Sequence, residues 1–68
     1  MFQSDKLKEI REKSNISETD LMFELYKMGL KISRQTILNW ECGATAPGAD
    51  DLAIIATFFK KPIQYFFE

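Results

Sequence analysis

Apolar residues recur at three- and four-residue spacings along the whole chain and never alternate over a sustained stretch, which restricts it to helices. The sharpest local signal is Ile16-Ser17-x-x-Asp20-Leu21. Ser17 and Asp20 fit a capping box, and Ile16 and Leu21 occupy the two positions of a hydrophobic staple, so a helix must begin there. Its stripe continues through Leu25 and Met28 until Gly29 supplies a left-handed residue to end it, giving a helix over 17–28. Before it, Ser4 caps a helix over 5–15 in which Leu7, Ile10 and Ser14 share one face. Beyond the turn Leu30 to Ile32, Ser33 caps a third helix over 34–42, with Ile37 and Trp40 inward and Gly43 at its end. A fourth helix over 49–59 carries Asp50 and Asp51 where the helix dipole favours anions, and Leu52, Ile55, Ala56 and Phe59 on one stripe. Pro62 then opens a short fifth helix over 62–67, returning Ile63, Phe66 and Phe67 to the core.

Composition narrows what such a fold can do. At 68 residues the chain is one domain with a small core of modest stability, and 46% hydrophobic content is too apolar for disorder. One cysteine, Cys42, and no histidine leave neither an internal disulfide nor the usual ligands of a zinc site. The longest largely apolar stretch, Leu52 to Phe59 with Thr57 as its one polar residue, is eight residues, too short to cross a bilayer, and no secretion signal opens the chain, so a cytoplasmic protein is expected. Without histidine, a nucleophile beside a base, or a glycine-rich phosphate loop, an enzyme is the least favoured class, and no cofactor is expected.

A net charge of -1 argues against indiscriminate binding to polyanions, so nucleic-acid binding has to rest on where the charges sit. From Leu25 to Trp40 the chain holds Lys27, Lys31 and Arg34 and no acid, whereas Asp5, Glu9, Glu12, Glu18, Asp20, Asp50 and Asp51 lie elsewhere. Within that basic stretch two helices follow one another across a short turn, an arrangement that lets the second lie in the major groove while the first crosses the backbone. Arg34, Gln35 and Asn39 are the side-chain types that read base edges, arginine on guanine and the amides on adenine. The plainer reading of these three is a solvated helix face.

The chain resembles the Cro and phage-repressor type of helix-turn-helix proteins, also called the XRE family. The matching residues are Leu7, Ile10, Arg11, Glu12 and Lys13, then Ile16, Ser17 and Leu21, then Ser33, Thr36, Ile37, Trp40, Glu41, Gly43 and Pro47, and finally Leu52, Ala56, Phe59, Ile63 and Phe66. Trp40-Glu41-x-Gly43 followed by Pro47 is the most specific part, joining a buried ring, an acid and a helix-ending glycine at fixed offsets. The resemblance implies a compact, all-α, five-helix domain of the lambda-repressor-like kind that reads a double-stranded DNA operator and regulates transcription as a repressor. It also implies a salt bridge between Arg11 and Glu41 that fixes the third helix against the first. It puts Arg34, Gln35, Leu38 and Asn39 at bases, and Ser33, Thr36 and Thr45 at phosphates, where Lys27 and Lys31 add charge.

The chain departs from this family in three places. The stretch from Leu21 to Glu41 is about five residues longer than usual, so the second helix or the loop must grow. Met22 replaces a small alanine, and Glu18 replaces a glutamine that touches phosphate, so that an acid there repels DNA unless a lysine neutralises it.

So few cations on one copy neutralise only a handful of phosphates, which calls for a homodimer on two half-sites. Its expected surface is the C-terminal helices, since Phe58, Tyr65 and Phe67 do not all fit a core this small. The main rival is a protein-interaction module, antitoxin-like or regulator-binding, that has lost DNA binding and docks through Leu38 and its acidic surface. The helical spacing of Trp40 and the C-terminal aromatics favours core packing over a base-stacking platform, and Cys42 lacks the basic neighbour of a reactive thiol.

Overall fold

The computed structural model describes residues 1–67, and among them the chain forms four α-helices and one 3-10 turn, without strands. In chain order these are α1 (Ser4–Lys13), α2 (Glu18–Lys27), α3 (Arg34–Cys42), α4 (Ala49–Phe59) and the 3-10 turn Ile63–Phe67.

Each helix stops in the same way. Asn15, Gly29, Gly43 and Lys60 follow α1 to α4 with φ of 59°, 94°, 84° and 58°, the left-handed conformation that turns the chain off a helix axis. After α2 the Gly29 amide donates to the Tyr26 carbonyl at 3.0 Å and the Leu30 amide to the Leu25 carbonyl at 2.9 Å, the paired bonds of a Schellman motif. Leu25 and Leu30 are both buried, supplying the apolar contact that accompanies it. This geometry corrects the expected place of Met28. It is the cap residue of α2 and is exposed instead of joining Leu21 and Leu25 in the core.

Helix starts follow local chemistry in the middle of the chain. The Ser17 hydroxyl accepts the Asp20 amide at 3.0 Å, and the Ser33 hydroxyl accepts the Thr36 amide at 3.2 Å. At α1 the cap is Gln3 rather than Ser4, which is already helical; the Gln3 amide donates to the Phe66 carbonyl at 2.7 Å, tying the start of the chain to its far end. Ser14, expected on the buried face of α1, is exposed beyond the helix end and returns its hydroxyl to the Ile10 carbonyl at 2.8 Å.

The core is Leu7 and Ile10 from α1, Leu21 and Leu25 from α2, Leu30 from the connection after α2, Ile37 and Trp40 from α3, Leu52, Ile55 and Ala56 from α4, and Phe66. α3 lies against both α1 and α2, α4 packs on α2, and the 3-10 turn bridges α1 and α4. Full burial of side chains such as Phe66 and Leu7 is worth roughly 1.5–3 kcal/mol each, so one C-terminal ring holds the last segment in place.

The expected fifth helix is that 3-10 turn. The Tyr65 amide donates to the Pro62 carbonyl at 3.0 Å, closing the tighter ring that so short a segment adopts. Ile63 and Phe67, expected in the core, are 39% and 45% exposed, because only Phe66 faces inward from this turn. Phe59 is half-buried, its ring edge-on to Phe58 at 4.9 Å.

Candidate nucleic-acid interface

The position of α3 is set by an ion pair at its C-terminal end. Arg11 Nε donates to Glu41 Oε2 at 2.7 Å and Nη2 to Oε1 at 3.1 Å, a two-point grip that fixes distance and orientation together. Arg11 Nη1 also donates to the Ile16 carbonyl at 2.9 Å, so one guanidinium joins α1, the turn before α2, and α3. Both partners are buried, and no buried side-chain nitrogen or oxygen among the described residues lacks a hydrogen-bond partner. The hydrogen bond to Glu41 raises the Arg11 pKa above its ordinary value; burial opposes it, and the charges of Glu41, Glu18 and Glu12 add to it.

With Ile37, Trp40 and Glu41 turned inward, α3 presents its other side to solvent. Arg34 and Gln35 are exposed at its start, and Thr36, Leu38 and Asn39 are half-buried along it. Gln35 Nε2 donates to Asn39 Oδ1 at 3.1 Å, which leaves the Gln35 carbonyl and the Asn39 amide group to face outward partners. Ser33 is exposed at the N-terminal end, its hydroxyl 3.0 Å from that of Thr36. Thr45 is exposed beyond the other end, its amide donating to the Asn39 carbonyl at 3.3 Å. The structure therefore brings Arg34, Gln35, Leu38 and Asn39 onto one helix, with Ser33 and Thr45 at its two limits.

The two lysines are placed differently. Lys27 Nζ lies 3.3 Å from Glu24 Oε2 on α2 itself, whereas Lys31 stands in the connection to α3. That connection, 28–33, is longer than the three or four residues usual between two such helices, so part of the lengthening from Leu21 to Glu41 lies here. Leu30 anchors it to the core.

Two features were not foreseen. Glu18 finds an arginine rather than a lysine: Arg34 Nη2 lies 3.8 Å from Glu18 Oε1. Phe23 and Tyr26 are exposed on α2, one turn apart and off the Leu21 and Leu25 stripe, and with Met22, Lys31 and Ile32 they line an apolar groove of about 280 Å³. Their spacing in the sequence was the available signal, since neither falls in register with the buried leucines.

At the far side, Lys6 and Lys61 place their ammonium groups 4.9 Å and 5.2 Å from the centre of the Tyr65 ring. That ring, read from the sequence as part of a dimer surface, is thus partly covered by its own chain. Among the described residues no helix is long and apolar enough to cross a membrane.

No curated protein and no solved structure matches the chain. A family model described as helix-turn-helix matches residues 7–66, from the first core leucine to the buried Phe66. The chain belongs to the Cro and phage-repressor (XRE) type of helix-turn-helix family.

Proposed function

We propose that this protein is a sequence-specific, repressor-like regulator of transcription that lays α3 in the major groove of a double-stranded operator. The observation that carries this reading is the division of α3. Its inner side is locked by Ile37, Trp40 and the Arg11–Glu41 pair, and its outer side offers Arg34, Gln35 and Asn39, three residue types suited to base edges. A reading helix has to be held rigidly, since a small displacement breaks paired hydrogen bonds to a base. Ser33, Thr36, Thr45, Lys27 and Lys31 are the proposed phosphate contacts, and Leu38 is suited to a thymine methyl group.

With two lysines and one arginine near this face, a single copy supplies little counterion release. A homodimer spanning two half-sites doubles it, and exposed Ile63 and Phe67 at the two ends of the C-terminal turn are the proposed contact. The test is fluorescence anisotropy against labelled DNA from upstream of the protein's own gene, beside a shuffled duplex, at low and moderate salt. Tighter, salt-sensitive binding to the native duplex is expected.

The groove beside Phe23 and Tyr26 favours a second reading, a protein-interaction module that does not read DNA. Equal or absent binding to both duplexes, with partner binding unaffected by Arg34→Ala and Asn39→Ala, would establish it.

A further inference from the structure

An acid in a surface that meets DNA is a liability unless a cation stands beside it, and Glu18 has one. Arg34 stands 3.8 Å away on α3, and the charge of Glu18 is also felt by Arg11, which grips Glu41. Charges therefore alternate from Glu41 through Arg11 and Glu18 to Arg34, from one end of α3 to the other by way of α1 and α2. The partners of the outer pair differ in freedom. The Glu18 side chain is 18% exposed and rooted in the first residue of α2, directly after the Ser17 cap, whereas the Arg34 side chain is 58% exposed. Arg34 thus has open space around it, and Glu18 has little.

We propose that Glu18 sets specificity, making Arg34 a selective reader of guanine instead of a general phosphate contact. The inference rests on the reading of α3 as the recognition helix. A guanidinium has five N–H donors, and at 3.8 Å the pair is an ion pair without a hydrogen bond, so the donors are not consumed. Guanine takes two of them through O6 and N7 while Arg34 stays beside Glu18. Adenine and thymine each set a single acceptor beside a donor or a methyl group, and cytosine offers a donor, so the two-point grip is lost at every other base. Arg34 must then turn to a phosphate, leaving Glu18 with its charge uncompensated in the negative potential of the backbone. The acid penalises the wrong site more than the right one.

The experiment measures affinity of the wild type, Glu18→Gln, Arg34→Ala and the double variant for a duplex that the wild type selects from a randomised pool, and for a shuffled copy, by anisotropy. The ratio of the two affinities is the readout, because it cancels any difference in folded fraction. Glu18→Gln is expected to tighten binding to the shuffled duplex and lower the ratio by roughly tenfold, and to steepen the salt dependence on that duplex by about one counterion. In the Arg34→Ala background the same change should leave the ratio where it is. Equal tightening on both duplexes, with the ratio kept, overturns the role of Glu18 while the reading of α3 stands. A wild type that selects no duplex overturns both.

Discussion

Arg11 and Glu41, thirty positions apart, meet as a buried two-point pair in which the arginine also holds the carbonyl of Ile16. Removing one member strands the other without a partner in a closed site, at a cost of about 3–5 kcal/mol. Arg11→Ala should therefore lower the thermal midpoint steeply, since in a domain this small each kcal/mol shifts it by about 4–8 °C. Arg11→Lys should recover little, because an ammonium cannot match both carboxylate oxygens and the carbonyl in the same plane. The double change Arg11→Met, Glu41→Leu should cost less than Arg11→Ala, as it leaves no charge stranded. Equal midpoints for Arg11→Ala and wild type would remove the pair from the account of how α3 is held.

The direction of the Arg11 shift fixes how this stabilisation responds to alkali. A cation whose pKa is raised by folding contributes in full below its unfolded pKa and loses that contribution only as pH climbs through the higher folded value. For arginine both values lie well above the neutral and mildly alkaline range. The difference in thermal midpoint between wild type and Arg11→Met is expected to stay flat from about pH 7 to about pH 10, even as other groups titrate. A difference that shrinks over this interval would mean that the pair is not the source of the stability.

The left-handed helix ends make a graded set. Gly29 at φ 94° has nothing within 4 Å of an added Cβ, whereas at Gly43, φ 84°, that atom would meet the Ser4 hydroxyl at 3.4 Å. Gly29→Ala thus reports the backbone cost alone, about 1–2 kcal/mol, and Gly43→Ala, whose new atom would only touch Ser4, should cost about the same. Lys60 holds φ 58° with a full side chain, so Lys60→Gly should be neutral or stabilising by a few tenths to about 1 kcal/mol. The denaturant midpoint should be highest for Lys60→Gly, with Gly29→Ala and Gly43→Ala both lower and close to each other.

What could be read in the sequence was what neighbouring residues decide among themselves. Ser17, Ser33, Gly29 and Gly43 act within one turn of their own positions, and the helices they bound lie within a residue or two of the expected ones. The start of α1 was misplaced because Gln3 is tied down by Phe66, a contact that no local rule contains. The fifth helix was overstated because apolar spacing after Pro62 does not reveal that the segment is too short for α-helical bonds. At the site, residue types suggested Arg34, Gln35 and Asn39, and the family resemblance supplied Arg11 with Glu41. The need of Glu18 for a cation was visible, but not that Arg34, sixteen positions on, is the cation that meets it. Pairings across the fold depend on helix packing, which spacing alone does not determine.

Self-association is expected through the C-terminal turn. Ile63 and Phe67 are exposed apolar side chains, while Phe66 between them is sealed in the core, so Phe67→Glu alters the surface without opening the interior. Light scattering at tens of micromolar should find a dimer for the wild type and a monomer for Phe67→Glu, with unchanged helical content. A wild type that stays monomeric both alone and on DNA would exclude the dimer and leave a single-copy contact to explain any affinity.

Asn39 and Lys31 should separate reading from holding. Asn39 is fixed by the hydrogen bond from Gln35, which leaves its amide group aimed outward from the middle of α3, whereas Lys31 stands in the connection before the helix begins. Loss of a base contact lowers affinity for one sequence, and loss of a phosphate contact lowers affinity for all. Asn39→Ala is expected to cost about 1–3 kcal/mol on the selected duplex and almost nothing on a shuffled one, with the salt dependence kept. Lys31→Ala should weaken both duplexes alike and reduce the salt slope by about one. Titrations of the two variants at several salt concentrations distinguish these patterns. If Asn39→Ala behaved as Lys31→Ala does, the outer side of α3 would be touching backbone, and the helix would be lying along the groove edge instead of within it.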